Sequence, residues 1–507
     1  LLIKGLPCPF SHIHVIENAS SLRYIWYMKQ TFIILLFLTQ KVIAQAPAQV
    51  KSKIDSLMQL YVDTKQFSGN VLVAKGTEVL YLKSFGYANR EEKIENRAGT
   101  NFNIASMGKT FTATLIMQLV QEGKLSIDQT LSSIIPEYKV KKADSITVRH
   151  LLTHTSGVGN YMMHVNFEAE RHQLKSLNDV MPYVVAMEPT LDYVGQRHDY
   201  SNSGFILLGK IIEKITGKSY MQNMEERIFK PSAIKQSYIH YPATFLAPNE
   251  ATPYLAYTAK TFVNAAAEEF PAFSDGGMQS NVLDLYYFAN ALLQGKLLLP
   301  AMRDSMWAGK VETGRGGKYS FGWIDEQTDF GKQVFSHSGG GKGFSSDLKI
   351  VKEDGYVVIV LINNRVNPRE VTNNILRILY NKEINKPEKY LENVLMEFTE
   401  EKGFEYVKAN YKNILKERGF DKTPNPWVYI MYSDMFETLK EFDKAFEVMD
   451  MGREEFPNET SMYNVTGQLY ANQKKYKEAA EWFQKALAID PKDGFATMMM
   501  SNIKSKL

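Results

Sequence analysis

Cysteine is almost missing from this chain: its 507 residues include one, Cys8. A disulfide framework, a zinc-thiolate site and a cysteine nucleophile further along are therefore excluded. Cys8 also precedes the apolar segment described below, so it offers no lipid-attachment point after cleavage there. Excess charge is scarce too. Lys and Arg number 59 against 56 Asp and Glu, a surplus too small over this length to build a nucleic-acid footprint. No group of His and carboxylates shows metal-ligand spacing, so neither a metal nor a cofactor is implied. Long apolar runs are absent as well, and the strongest one is too short to span a bilayer as a helix.

That run sits in "MKQTFIILLFLTQKVIAQA", which begins at Met28. A lysine, a short apolar core and then small residues have the form of a secretory signal. Cleavage after Ala44 fits, with Val42 and Ala44 as the small residues before the cut. We therefore expect a signal peptide over 28–44 and an exported chain, periplasmic or secreted. A membrane anchor is the alternative. Residues 1–27 open with Leu1, show no clean periodicity, and are set aside as an upstream extension foreign to the fold.

Hydrophobic residues make up 44% and charged residues 23%, the composition of a folded, soluble protein. Its length predicts two or three domains. Val50 to Lys65 has helical periodicity, with Ile54, Leu57, Leu60 and Tyr61 on one face. "GNVLVAKGTEVLYLKSFG" alternates and breaks at Lys75-Gly76, the pattern of a hairpin. A helix-rich stretch follows to about Gln294. Then "YSFGWIDE", "KQVFSHSG", "GFSSDLKIVK" and "GYVVIVLINN" read as four strands, and "VTNNILRILYNK" as a closing helix. Two strands early and several late predict one antiparallel sheet assembled from both ends of an α+β domain over 48–382.

Beyond a linker at 383–398, residues 399–507 read as entirely helical. "MYNVTGQLYANQKKYKEAAEWFQKALAIDP" puts Tyr463, Gly467, Tyr470, Ala479, Phe483, Ala486 and Pro491 at tetratricopeptide positions. The preceding repeat supplies Tyr429, Ser433, Phe436, Ala445, Met449 and Pro457. Setting Ala486 against Arg453 leaves one break in that pattern. "FEYVKANYKNILKERG" suggests an earlier degenerate unit, and Gly494 to Leu507 a capping helix. Such a region either stabilises the chain or docks a protein partner.

Chemistry concentrates in "NFNIASMGKTFTATLIMQ", Asn101 to Gln118. Read alone, Ser106 is a helix cap. The alternative has specific physics. A serine in the first helical turn meets free backbone N–H groups and the positive end of the helix dipole. Lys109, three residues on, shares its face, and burial beneath an apolar helix favours the neutral amine that accepts a proton. Two further groups follow in order: Tyr200-Ser201-Asn202 before an amphipathic helix, and His337-Ser338-Gly339 at the end of a strand. Each has a bland reading of its own, as core tyrosine, cap or solvent-facing strand residue. "GGGKG" lacks the G-x-x-x-x-G-K-[ST] spacing of a phosphate loop and precedes a strand.

Together, S-x-x-K, Y-x-N and H-x-G resemble the serine β-lactamase and penicillin-binding protein superfamily, closest to its class C, D,D-peptidase and esterase branch. "ITVRHLLTHTSGV", "GKLSIDQTLSSIIPEY" and "SDGGMQSNVLDLYYFANALLQGK" resemble its connecting segments, so the likeness covers about residues 51–381. It implies an antiparallel sheet flanked by helices with a helical subdomain. Ser106 would be the acylated nucleophile, Lys109 its base, and Tyr200 the proton shuttle. Asn202 would hold Lys109 and bind a substrate amide. His337 would line the cleft where most β-lactamases carry lysine, and Ser338 would donate to a substrate carboxylate. The amides of Ser106 and Gly340 would form the oxyanion hole. His154 is expected to pack. Glu188 precedes Tyr200, whereas the deacylating glutamate of class A enzymes follows the middle motif. The expected activity is hydrolysis of an ester, amide or D-amino-acid peptide bond, with rapid β-lactam turnover disfavoured by the histidine. The competing reading is a ligand-holding scaffold.

Overall fold

The computed structural model describes residues 47–507 apart from 66, 165, 240–246, 248, 257, 259, 267–270, 315, 421 and 423–424. The expected signal segment and upstream extension lie outside the described residues. The first helix, α1 (Pro47–Lys65), starts three residues before the expected point. Its buried stripe is Ile54, Leu57, Met58 and Tyr61, the i, i+3, i+4, i+7 set, and Leu60 is only partly buried.

The hairpin follows as β1 (Gly69–Lys75) and β2 (Glu78–Phe85). Six strands come late in the chain: β3 (Val311–Glu312), β4 (Lys318–Tyr319), β5 (Ile324–Gln327), β6 (Gln333–Gly341), β7 (Phe344–Val351) and β8 (Tyr356–Ile362). They form one sheet in the order β2-β1-β8-β7-β6-β5-β4-β3, with every neighbour antiparallel. The sheet is thus assembled from both ends of the domain, as expected. "YSFGWIDE" is not one strand. It breaks after Tyr319, where the Ser320 amide and hydroxyl both donate to Trp323 O, and β5 starts afresh at Ile324.

β8 reads as an unbroken apolar run because both of its faces are covered. Val357, Ile359 and Leu361 enter the main core, and Val358 and Val360 are fully buried outside that cluster. Helix α5 (Pro368–Leu379) lies beside α1, with Asn374 Nδ2 donating to Tyr61 Oη at 2.8 Å. Opposite, α2 (Lys109–Gln121), α3 (Asn202–Thr216) and α4 (Val282–Leu293) carry the main core. In α2 every residue from Lys109 to Gln118 is buried, so it is a helix with no solvent face.

The C-terminal helices are α6 (Leu391–Lys402), α7 (Phe404–Glu417), α8 (Trp427–Thr438), α9 (Phe442–Glu455), α10 (Thr460–Asn472), α11 (Tyr476–Ile489) and α12 (Gly494–Ile503). Small residues sit where paired helices touch. A Cβ on Gly467 would lie 2.6 Å from the Phe483 ring. The expected break at Arg453 is an alignment slip. Its neighbour Gly452 takes the place of Ala486, and a Cβ there would meet Met462 Sδ at 2.8 Å. The small-residue pattern is therefore unbroken, and Arg453 lies beside it, donating to Thr466 Oγ1 at 2.5 Å.

Candidate active site

Ser106 sits in a 3-10 turn, Ala105–Gly108, which runs directly into α2. The residue before it is held in an unusual backbone shape. Ala105 has φ of 46°, a left-handed conformation that costs a non-glycine residue about 1–2 kcal/mol. A loop from Ala272 to Met278 stabilises it from outside. Gly277 N donates to Ala105 O at 3.2 Å, and a Cβ on Gly276 would lie 2.4 Å from that same oxygen. Gly276 also has φ of 146°, so only glycine fits both the space and the backbone here.

Lys109 enters this turn from the first residue of α2 and is 0% exposed. Its Nζ lies 3.1 Å from Ser106 Oγ, 2.7 Å from Asn202 Oδ1 and 2.6 Å from Asp275 O. As an ammonium it satisfies all three acceptors. As a neutral amine it would turn its lone pair to the serine hydroxyl and keep the other two bonds. Asn202 is the first residue of α3, and its Nδ2 reaches Met162 Sδ at 3.3 Å. Ser106 and Lys109 thus form one hydrogen-bonded group with Asn202, 93 residues beyond Lys109. The Tyr200 ring centroid lies 4.9 Å from Lys109 Nζ, and Tyr200 is 40% exposed, the open side of an otherwise sealed group.

Asp275 was not singled out by any motif. Its carboxylate accepts from Tyr161 Oη at 3.0 Å, and burial pushes its pKa up to about 6 despite the opposing Lys109 charge. Tyr161 was equally invisible, because a buried phenol in a loop carries no periodic signal.

His337 and Ser338 fall on opposite faces of β6, as alternation requires. The Ser338 hydroxyl donates to Asp347 Oδ1 at 2.7 Å, and the other oxygen of that carboxylate accepts from Thr372 of α5. That is the face away from Lys109, so Ser338 is not placed to donate to a substrate carboxylate. His337 faces the cleft side but is 3% exposed. Its Nδ1 lies 2.7 Å from Ser338 O and its Nε2 3.0 Å from Tyr319 Oη. His154 Nε2 is 3.1 Å from the same phenol, and its Nδ1 accepts from Ser201 N. One set of proton positions satisfies all of these. His154 Nε2–H donates to Tyr319, whose hydroxyl donates to His337 Nε2, and His337 Nδ1–H donates to its neighbour's carbonyl. Both imidazoles are then neutral. Burial, assisted by the Lys109 charge, drives His337 down to about 3 and His154 well below its usual value. His154 packs as expected, its ring 4.1 Å from that of Tyr200.

β6 passes close to the nucleophile turn: a Cβ on Gly339 would meet Ile104 O at 2.0 Å. Ser346 of β7 holds the same carbonyl, its hydroxyl donating to Ile104 O at 2.8 Å. Among the described residues no group of three or more His, Cys, Asp or Glu could hold a metal ion.

The family model described as Beta-lactamase matches residues 50–382, and one described as Tetratricopeptide repeat matches residues 462–493. The chain belongs to the β-lactamase family. A penicillin-binding protein of Bacillus subtilis (strain 168) is 27% identical over 361 residues, 67% of this chain and 78% of the relative. The teichoic acid D-alanine hydrolase of Staphylococcus aureus is 24% identical over 334 residues, 62% of this chain and 76% of that one. The crystal structure of a penicillin-binding protein from Bacillus halodurans superposes with a TM-score of 0.56 at 27% identity, covering 64% of this chain and 99% of that one. This β-lactamase-family chain is accordingly a serine hydrolase, with a helical repeat region after its hydrolase domain.

Proposed function

We propose that the protein is an exported hydrolase of D-aminoacyl esters, amides or peptides that works through an acyl-enzyme on Ser106. The observation that carries the reading is the 3.1 Å approach of the fully buried Lys109 Nζ to the partly exposed Ser106 Oγ. Neutral Lys109 takes the hydroxyl proton as Ser106 Oγ bonds to the acyl carbon. The carbonyl oxygen becomes an oxyanion held by the amides of Ser106 and Gly340, where fixed donors lower the barrier most. Collapse breaks the bond to the leaving group, which takes a proton relayed from Lys109 by Tyr200. Water then gives a proton back along that path, attacks the ester and frees the acid, restoring the hydroxyl. Asn202 holds Lys109 and offers its Nδ2 to the substrate side.

The charge balance of β6 supports the choice of substrate. With His337 neutral and turned to Tyr319, this strand supplies no fixed cation for the carboxylate that β-lactams and D-Ala-D-Ala peptides both carry, which favours D-aminoacyl esters and amides. The printed name of the Staphylococcus aureus relative, a D-alanine hydrolase, agrees with an acyl group of that kind. Export rests on the segment at 28–44. Incubation with a p-nitrophenyl ester, a D-Ala-D-Ala peptide and a chromogenic cephalosporin tests the reading. Turnover of the ester, slower turnover of the peptide and slow, stoichiometric acylation by the cephalosporin are expected. No turnover, with Ser106 unmodified, would leave a ligand-holding scaffold.

A further inference from the structure

The first helices of successive repeats present equivalent positions 34 residues apart, a period shared by Asp434 on α8, Gln468 on α10 and Asn502 on α12. Both outer members are fixed to the hydrolase domain. Asp434 Oδ2 accepts from Arg365 Nη1 at 2.7 Å, in the loop after β8. Asn502 Nδ2 donates to Met163 O at 3.0 Å. Met163 ends the short turn Tyr161–Met163, whose Tyr161 bonds Asp275 and whose Met162 touches Asn202. The last repeat therefore rests on one lip of the cleft.

The opposite side is held through the Arg365–Asp434 pair, in the loop that follows β8. Burial pushes Glu437 of α8 up, aided by the Asp434 charge, while the Asn472 hydrogen bond and then the charges of Lys342 and Lys440 oppose it. Lys342 lies in the turn between β6 and β7, two residues beyond Gly340. Asn472 Nδ2 donates to Glu437 Oε1 at 2.7 Å, and Gln468 Nε2 donates to Asn472 Oδ1 at 2.6 Å. The polar row Glu437–Asn472–Gln468 thus lies on the repeat helices between two anchors to the hydrolase domain, Asp434 on Arg365 and Asn502 on Met163.

We propose that this row, centred on Glu437, Gln468 and Asn472, forms the outer wall of the substrate cleft and binds the peptide that bears the acyl group. The inference rests on the hydrolase reading above and deepens it. The amide and carboxylate groups of the row pair with the N–H and C=O groups of a peptide and have nothing to offer a bare small acyl group. The repeat face that would suit a separate protein partner is anchored to the chain's own hydrolase domain at both ends.

The test compares acetyl-D-Ala-D-Ala with a pentapeptide of the same D-Ala-D-Ala end, in the wild-type chain and in the double variant Gln468→Ala/Asn472→Ala. Both positions are on the helix surface, and an unchanged melting temperature verifies the fold. The ratio of kcat/KM for the long peptide to that for the short one falls about fivefold or more, through KM and not kcat, if the row binds peptide. A smaller fall, or one carried by kcat, overturns the proposal. Failure of the underlying reading looks different: the wild-type chain would cleave neither peptide, and both conclusions would go together.

Discussion

The hydrolase domain and the repeat region place their polar groups in opposite ways. Around Ser106 polar atoms are sealed in: Lys109, Asp275, His154, Tyr319 and His337 are all buried, and each is fixed by named partners. In the repeats the interior is assembled from small residues facing aromatics, as Gly467 faces Phe483, and apart from Ser433, Asn464 and Thr466 the polar side chains lie along the surface. The first region is specified by a few irreplaceable contacts. The second is specified by volume.

Substitutions sharpen that contrast. Ser106→Ala removes the nucleophile and Lys109→Ala its base, and each is expected to lower kcat by about a thousandfold or more, read in single-turnover ester hydrolysis. Asn202→Ala leaves Lys109 with two acceptors and should cost about a hundredfold in kcat with little change in melting temperature. Gly276→Ala drives a Cβ toward Ala105 O. It should both destabilise the domain and displace the serine turn, seen as parallel losses of melting temperature and activity. Gly467→Ala overpacks the repeat core by about 1–3 kcal/mol, read in chemical denaturation, while hydrolysis of a small ester is retained. If Gly467→Ala abolished small-ester hydrolysis, the two regions would not be separable in this way.

The smallest effect is a pH dependence. His337 is neutral in the fold, held down to about 3, whereas an unfolded histidine titrates near about 6.5. Between those values the unfolded chain binds more protons, so this stability is complete above about pH 6.5 and is lost as pH falls toward about 3. Asp275, raised to about 6, acts in the opposite sense, its contribution falling as pH rises from about 4 to about 6. His337→Gln should make acid unfolding shallower, and Asp275→Asn should make it steeper, in thermal melts between pH 4 and 7.

The parts of this molecule legible in its sequence are those with a period or a fixed spacing. The tetratricopeptide positions, the hairpin at Lys75-Gly76 and the triplet of motifs are of that kind. The strand break after Tyr319 was not legible, because it depends on a local bond between Ser320 and Trp323. Ser338 was assigned to the cleft from its place in a motif, and strand alternation turns it to the other face. The Ala272–Met278 loop, with Asp275 behind Lys109, has no motif of its own, since its role comes from a backbone carbonyl and from the absence of a Cβ. The approach of Asn502 to Met163 spans 339 residues of sequence and has no local signature at all.

The central claim is that buried Lys109 makes Ser106 a nucleophile. Intact-mass measurement and peptide mapping after treatment with a fluorophosphonate test it most directly. One adduct on Ser106 in the wild-type chain, and almost none at equal time in folded Lys109→Ala, is the expected result. Equal labelling of both proteins, or labelling at another residue, would contradict it.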